Sequence, residues 1–465
     1  MRLIYLLLAA AAAVPAPAPA QPGAQPAVQP AARTAARGPA AAPAVRSDRA
    51  ARLDALDKAA GRGEVAVLRR ALRTERDRDV RVLIDARLRS LRLDWSAASD
   101  PRLRRLAAAG SPRDIRIAAL TILGGMAFSS GDYARTAGLA RDLEQLQKAA
   151  GNTEAAGLTG MTRQIADMLA GEPRQRLEGG LAAGRSGARR DVAGLMRVDV
   201  RVNSQDVDAV FDTGANLSVL SASTAQRLGA RLLEGKASVG NSVRGTVPVQ
   251  LAIADRFEIG GNVLRDVVFL VIDDAALSFG PGGAYKIPAI IGYPVMQALG
   301  RFRMDEEAFH VEPAGAESPA PAPAPAPNLY VSAGEMFVDA KVGGIAVPLY
   351  LDSGANPSHL NPPFAVAYPA PLAGLVAEQR QRAGAGGRAT DQAVRWRDVA
   401  VELAGRRVQL PSLIVGVPGG DVKPSSYYGV IGADLLGRFT SYTIDLRRMR
   451  LELGAPRPAA APAQR

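Results

Sequence analysis

The chain has 465 residues, a formal net charge of +12, no cysteine and only two histidines. Length allows about three domains, and the missing cysteines exclude disulfides, thiolate nucleophiles and Cys-ligated metals. His310 and His359 are too few for a His-rich metal site. The basic residues are scattered and form no stripe with aromatic residues, so we expect no nucleic-acid partner. These absences favour carboxylates as the groups that would carry any hydrolytic chemistry.

The N-terminus has the pattern of a secretory signal. Arg2 precedes an apolar run at residues 3–14, and small residues follow at 18–20. We therefore expect a signal peptide at 1–20 and a periplasmic or secreted protein. The apolar run is too short to span a bilayer comfortably, and an uncleaved anchor is the alternative. Residues 21–45 are rich in Ala and Pro and predict a disordered tether.

Residues 46–175 predict an α-helical domain. Apolar residues recur there at helical spacing, Ser111-Pro112 is a typical helix start, and Gly131-Asp132 is a typical break. This domain either packs against the rest of the chain or binds a protein partner or restricts substrates.

From Leu195 onward the apolar spacing changes to two, which predicts strands. Helices are expected at 221–228 and 294–299. The fold class predicted is mainly β, with two β lobes that follow the α-helical array. The predicted lobes span 193–313 and 328–454, an extended Pro/Ala linker spans 314–327, and a disordered tail spans 455–465.

The two lobes share a repeated sequence. Asp-Thr-Gly-Ala-Asn at 212–216 recurs as Asp-Ser-Gly-Ala-Asn at 352–356, an offset of 140 residues (352 − 212). The same offset relates Ile291-Gly292 to Ile431-Gly432 and Met304-Asp305 to Ile444-Asp445. An offset that persists over separated stretches indicates internal duplication, so each half contributes one carboxylate in the same local setting.

An apolar strand, Asp-Thr/Ser-Gly-Ala and a later Ile-Ile-Gly or Val-Ile-Gly element resemble the retropepsin-like aspartic proteases. One Asp-Thr-Gly is a weak signal, but two in register form a specific one. The resemblance covers both lobes and implies a bilobal, pepsin-type arrangement without a cofactor. It implies catalytic roles for Asp212 and Asp352. Thr213 and Ser353 would bond across the pseudo-two-fold axis, with Gly214 and Gly354 allowing close approach.

Two carboxylates within hydrogen-bond reach cannot both ionise cheaply, so they share a proton. The ionised member can take a proton from a bridging water while the protonated member donates to the scissile carbonyl. We therefore predict an aspartic endopeptidase with a bell-shaped pH profile on the acid side of neutrality.

The resemblance also implies a β-hairpin flap in each lobe. The candidates are residues 236–249, with a tip near Gly240, Asn241 or Gly245, and residues 382–396, with a tip near Gly384 and Gly386. Gly-rich tips between strand-like residues suit lids that close over a peptide. Ordinary surface hairpins are the alternative.

Four further positions receive interpretations that give them no part in catalysis. Asp305 and Asp445 lie in a strand-turn setting and are expected to be structural and not catalytic, and Trp396 is expected to lie in the core. His359 is expected to be solvated or to cap a helix.

Two alternatives to an enzyme remain open at this point. One is a catalytically silent peptide-binding protein with the same fold, and the other is an adaptor that acts through the helical domain. Intact Asp, Thr/Ser and Gly in both copies argue against the first. We expect a monomer in which both lobes pair within one chain, with a peptide or protein as substrate.

Overall fold

The computed structural model describes residues 5–6, 48–241, 245–313, 326–384, 387–420 and 425–457. The predicted signal peptide, tether, inter-lobe linker and C-terminal tail lie wholly or largely outside these ranges. In the described part of the chain, no helix combines the length and the apolarity needed to cross a bilayer.

The N-terminal part is an array of seven helices. Asp77, Asp132 and Asn152 cap three of them, because each side chain accepts a backbone N–H from the first turn. Apolar residues at helical spacing form a shared core that includes Leu68, Leu83 and Ile115. The helices are α1 Asp48–Ala60, α2 Val65–Thr74, α3 Arg78–Ser90, α4 Pro101–Ala107, α5 Arg113–Ser129, α6 Tyr133–Ala149 and α7 Thr153–Leu169.

Strands dominate the chain after residue 175, which confirms the predicted fold class. A short strand near the N-terminus, β1 Tyr5–Leu6, is distant in sequence and pairs in parallel with β8 Ala237–Asn241. The others as far as residue 313 are β2 Arg176–Glu178, β3 Gly184–Arg190, β4 Met196–Val202, β5 Gln205–Phe211, β6 Ser218–Ser221, β7 Arg231–Leu232, β8 Ala237–Asn241, β9 Gly245–Ile259, β10 Asn262–Ile272, β11 Ser278–Phe279, β12 Tyr285–Lys286, β13 Ala289–Ile291, β14 Arg301–Asp305 and β15 Ala308–Val311, with helices α8 Ala222–Arg227 and α9 Tyr293–Leu299.

The second lobe repeats this plan. Its elements are β16 Leu329–Ser332, β17 Glu335–Val342, β18 Ile345–Leu351, β19 His359–Leu360, α10 Pro362–Ala367, β20 Glu378–Gly384, β21 Gly387–Leu403, β22 Arg406–Gly420, β23 Gly429–Ile431, α11 Ala433–Leu436, β24 Ser441–Asp445 and β25 Arg450–Leu453.

Strand pairing shows the duplication directly. In the first lobe β4 pairs antiparallel with β5, and β13 lies parallel beside β5. In the second lobe β17, β18 and β23 are arranged in the same way. Val198 faces Ala209 in one lobe and Val338 faces Leu349 in the other, each pair keeping the 140-residue offset. Both catalytic-loop candidates therefore begin at the end of a buried central strand.

One sheet joins the two lobes. β14 pairs antiparallel with β24, so that Arg301 faces Asp445 and Arg303 faces Thr443. Asp445 is buried and accepts a bond from Arg301 at 3.2 Å. Burial alone would raise the pKa of Asp305, but bonds from Glu307 N–H, His310 and Ala308 N–H lower it to about 2. Asp445 also accepts the N–H groups of Arg447 and Arg448, so both aspartates hold the turn that follows their strand.

The helical array packs on both lobes. The Tyr428 hydroxyl donates to Glu64 at 2.9 Å, and Gly63 lies directly against Phe337. At the other end, Ile165 and Leu169 of α7 share an apolar cluster with strands of the first lobe. The helices therefore contact the β lobes through apolar side chains as well as polar ones.

Candidate active site

Each aspartate directly follows a central strand, and its backbone N–H is hydrogen-bonded to a neighbouring strand. The Asp212 N–H donates to the Ile291 carbonyl at 3.1 Å, and the Asp352 N–H donates to the Ile431 carbonyl at 2.9 Å. These contacts place β13 and β23, which carry the Ile-Ile-Gly and Val-Ile-Gly elements, beneath the two loops. The two loops therefore have the same support.

The two carboxylates lie close together across the pseudo-two-fold axis. A Cβ at Gly214 would sit 2.5 Å from Asp352 Oδ1, and a Cβ at Gly354 would sit 2.4 Å from Asp212 Cγ. Each carboxylate therefore packs on the glycine of the opposite loop, and a side chain there would displace it. Asp212 is 0% exposed and Asp352 is 1% exposed. The site is a buried carboxylate pair.

Each carboxylate has one bonded oxygen and one that accepts no hydrogen bond from a described residue. Asp212 Oδ1 accepts the Gly214 N–H at 2.8 Å, and Asp352 Oδ1 accepts the Gly354 N–H at 3.1 Å. The two Oδ2 atoms are buried without such a donor. The bonded Oδ1 atoms fix the orientation of the two carboxylates, which leaves the two Oδ2 atoms for contacts with reacting atoms.

Thr213 and Ser353 join the two loops through reciprocal hydrogen bonds. The Thr213 hydroxyl donates to the Leu351 carbonyl at 2.8 Å, and the Ser353 hydroxyl donates to the Phe211 carbonyl at 2.7 Å. In return, the Ser353 N–H donates to Thr213 Oγ1 at 2.9 Å and the Thr213 N–H to Ser353 Oγ at 3.0 Å. Four buried bonds thus fix the distance between the loops that carry the aspartates.

Burial raises the pKa of both acids, and the neighbouring carboxylate raises that of Asp352 further. Desolvation raises the pKa of Asp212 to about 6, although bonds from backbone N–H groups oppose the shift. Desolvation and the negative charge of Asp212 raise the pKa of Asp352 well above its ordinary value. The charge of one carboxylate disfavours ionisation of the other, so one proton stays on the pair.

Two asparagines hold the lobes together, and we did not predict this role. The Asn216 amide donates to the Ala333 carbonyl at 3.0 Å, and the Asn356 amide donates to the Ala193 carbonyl at 2.7 Å. Each bond crosses from one lobe to the other, so the pair repeats the symmetry of the dyad. The signal was present, since Asn closes both copies of the pentapeptide.

The flap candidates fall on two real hairpins. β8 pairs with β9 up to Asn241 opposite Gly245, and β20 pairs with β21 up to Gly384 opposite Gly387. Gly240 lies on β8, whereas Gly386 and the other tip residues at 242–244 and 385 lie outside the described residues. Their part in substrate binding stays a prediction.

One interpretation was wrong. His359 is 5% exposed and lies on β19, where its Nδ1 is 3.2 Å from the Pro357 carbonyl oxygen. It is neither solvated nor at a helix end, because β19 runs between β22 and β23 inside the sheet. Trp396 packs against the apolar core, near Phe364, as expected.

No metal site accompanies the dyad in the described part of the chain, where no three His, Asp or Glu side chains are grouped to hold an ion.

Comparison with known proteins gives a match within the first lobe. Residues 198–295, which include Asp212 and β13, match the family model described as aspartyl protease. A solved structure, a retropepsin-like aspartic protease from Rickettsia conorii, matches at 18% identity over 28% of this chain and 91% of that chain, with a TM-score of 0.20. No curated protein matches the sequence. The predicted resemblance to the retropepsin-like family is confirmed, and the first lobe carries the matched aspartyl protease region.

Proposed function

We propose that the chain is an aspartic endopeptidase whose attacking water is activated between Asp212 and Asp352. The observation that carries the proposal is the pair of buried carboxylates, each set on the glycine of the opposite loop. Their raised pKa values support sharing of one proton at working pH. The matched family model supports a peptidase of this class.

The chemistry uses three groups. The ionised carboxylate takes a proton from water as the water oxygen bonds to the scissile carbonyl carbon, and the protonated carboxyl donates its proton to the carbonyl oxygen. The resulting gem-diol collapses when its C–N bond breaks. The carboxyl that took the proton from water gives it to the leaving nitrogen, and a gem-diol hydroxyl returns its proton to the other carboxylate, so that the carboxyl product forms and the pair regains its single proton. Because the two carboxyls titrate as a coupled pair and the pKa of both is raised, the pair holds one proton in the resting state.

Substitution of either aspartate tests the proposal. Asp212→Asn and Asp352→Asn should each lower kcat/KM on a peptide-library substrate by at least about 1,000-fold, because each removes half of the shared-proton pair. Asp206→Asn, at a side chain that is 90% exposed, is the matched control and should retain parental activity.

A statine-containing peptide supplies a second arm. Its tetrahedral hydroxyl would occupy the place of the water between the carboxylates, so it should inhibit the parent. Chelators and thiol reagents should leave the rate unchanged. Parental turnover in either dyad variant would refute the proposal. Statine-peptide binding without cleavage of any library member would instead favour the silent peptide-binding protein.

We also propose that the protein is exported and that both lobes of one chain form one active site. The basic and apolar N-terminus supports export. The bonds between the two loops support pairing within the chain. N-terminal sequencing of protein recovered from the periplasm, with Ala20 absent, would test the cleavage of the signal at residue 20.

A further inference from the structure

The internal repeat allows the two ends of the lobe interface to be compared. At one end the Asn356 amide donates to the Ala193 carbonyl, and at the other end the Asn216 amide donates to the Ala333 carbonyl. The paired residues keep the repeat offset of 140 (356 − 216 and 333 − 193). The two ends therefore share one backbone plan, and a difference between them lies in the side chains around it.

The guanidinium of Arg190 lies at the end near Ala193. It donates to the Gly194 carbonyl at 2.7 Å and to the Ala433 carbonyl at 3.4 Å. Its Nη2 also lies 2.9 Å from the position of a Cβ at Gly437. A planar cation with several N–H donors is thus bound to carbonyl oxygens at this end.

No such side chain comes from the equivalent position of the second repeat. That position is Tyr330 (190 + 140), which is 2% exposed and packs in the apolar core of the helical array. A cavity of about 280 Å³ lies at this end instead, and it has room for a small ligand, since one water takes roughly 30 Å³. Its lining includes the counterparts of Ala193, Gly194, Asn356 and Ala433, which are Ala333, Gly334, Asn216 and Tyr293.

Two residues of this lining carry buried oxygen atoms that have no hydrogen-bond partner among the described residues. They are Asn216 Oδ1 and the Tyr293 hydroxyl, on residues that are 3% and 2% exposed. Because the amide nitrogen of Asn216 already donates to Ala333, its Oδ1 can only accept. A buried polar atom without a partner costs free energy, so these oxygens favour a ligand that brings N–H donors.

The helical array adds features that favour a positive charge. Trp95, Phe128 and Tyr133 line the cavity, and aromatic faces attract guanidinium and ammonium groups. The last residue of α5 lines it too, so the carbonyl end of that helix, with its partial negative charge, lies at the cavity. Arg174 is also part of the lining, and its charge is met by Asp132 at 2.8 Å.

We propose that this cavity binds a compact organic cation with N–H donors, of the guanidinium or primary ammonium class. The cation would take the place that Arg190 takes at the other end and would donate to Asn216 Oδ1 and the Tyr293 hydroxyl. The Tyr293 N–H donates to the Ala215 carbonyl at 2.8 Å, so the ligand would lie close to the first catalytic loop. This site goes beyond the proposed peptidase function and does not depend on it.

Binding of methylguanidinium to the full chain tests the proposal. Thermal unfolding and saturation-transfer NMR, at constant ionic strength, should show one saturable site with a Kd on the order of 1 mM. Tetramethylammonium has the same charge but no N–H donor, and it should bind at least about tenfold more weakly. Absence of saturable methylguanidinium binding, or equal binding of both cations, would overturn the proposal. Preferential binding of acetate would also overturn it, because the cavity would then select anions through Arg174.

Tyr293→Phe locates the ion. It removes only a hydroxyl that has no partner among the described residues, so the fold should persist. Affinity for methylguanidinium should fall at least about fivefold. Tyr368→Phe, at a tyrosine outside the cavity lining, is the matched control and should bind as the parent does. Parental affinity in the Tyr293 variant would place the ion elsewhere and refute the site.

Arg190→Ala tests the comparison between the two ends. With that guanidinium removed, the chain should bind a second methylguanidinium, and the added ion should restore part of the thermal stability that the substitution costs. A folded variant that still binds one ion and shows no such recovery would overturn the assignment of the cation class. Because every readout is binding or stability, the outcome is independent of whether the chain cleaves peptides.

Discussion

Thr213 and Ser353 set the spacing of the dyad although neither is a reacting group. Ser353→Ala would leave the Phe211 carbonyl and the Thr213 N–H without their partners. Since both backbone groups are buried, the free energy of unfolding should fall by about 2–4 kcal/mol. We also expect kcat to fall at least about tenfold, because the adjacent carboxylate loses its positioning. Thermal unfolding and steady-state kinetics measure the two effects.

Ser353→Thr is the matched control, because Thr occupies the equivalent position in the first loop. It should retain the bonds and at least half of the parental kcat. Equal stability of the Ala variant and the parent would contradict the role assigned to the hydroxyl.

The dyad also predicts how activity depends on pH. Turnover needs one ionised and one protonated carboxyl, and burial raises the pKa of Asp212 to about 6. Below that pH both groups are protonated, so kcat/KM should fall about tenfold per pH unit of acidification. Above it Asp352, whose pKa is raised well beyond its ordinary value, keeps the proton until it too ionises.

The expected maximum therefore lies nearer neutrality than the sequence suggested. A pH–rate series on the parent and on Asp206→Asn would measure it. A maximum near pH 4 with a decline by pH 6 would contradict the assignment.

At the scale of single residues, the sequence located the paired carboxylates but not all the contacts that hold them. Asp212 and Asp352 could be located because the Asp-Thr/Ser-Gly-Ala-Asn pentapeptide is a local sequence pattern that occurs twice. The lobe-crossing bonds of Asn216 and Asn356 depend on carbonyl groups more than 100 residues away, which no local pattern reveals. The burial of His359 depends in the same way on pairing between distant strands.

At the scale of structural elements, the chain at the end of β23 packs closely against the second loop and leaves no space for an added side chain. A Cβ at Gly432 would lie 2.4 Å from the Ala355 carbonyl oxygen. Gly432→Ala should therefore push the second loop out of position, lower the free energy of unfolding by about 3 kcal/mol and abolish turnover. Chemical denaturation and a peptidase assay measure these changes.

Gly138→Ala provides the contrast. Gly138 lies within α6, and an added Cβ there meets no atom within 4 Å. Alanine should stabilise that helix by up to about 1 kcal/mol and leave activity unchanged. If the Gly432 variant were as stable and active as the Gly138 variant, the close packing beneath the loop would not be required.

The spacing of apolar residues predicted where helices and strands lie, but it did not predict which elements pack against one another. Predicted helices at 221–228 and 294–299 correspond to α8 and α9, each within two residues. Both hairpins were predicted from Gly-rich tips between strand-like residues. That α7 packs against the first of them could not be predicted, because it depends on how separate elements pack.

For the whole molecule, both aspartates should act within one chain. Activity per chain should then stay constant over about a thousandfold dilution, since no association step is needed. Equal mixtures of Asp212→Asn and Asp352→Asn chains should remain inactive. Recovery of activity on mixing, or loss on dilution with dimers seen by sedimentation, would show that lobes pair between chains.

The strand pair that joins the lobes has a consequence for self-association. In the antiparallel pair of β14 and β24, Arg303 faces Thr443. These two residues occupy equivalent positions of the two repeats. If two copies of the first lobe met through the same edge, Arg303 would face Arg303, and two like charges directly opposite on neighbouring strands repel. In the native pairing a neutral threonine takes that place. Pairing of the first lobe with the second therefore avoids the Arg303–Arg303 contact that two first lobes would make at this edge.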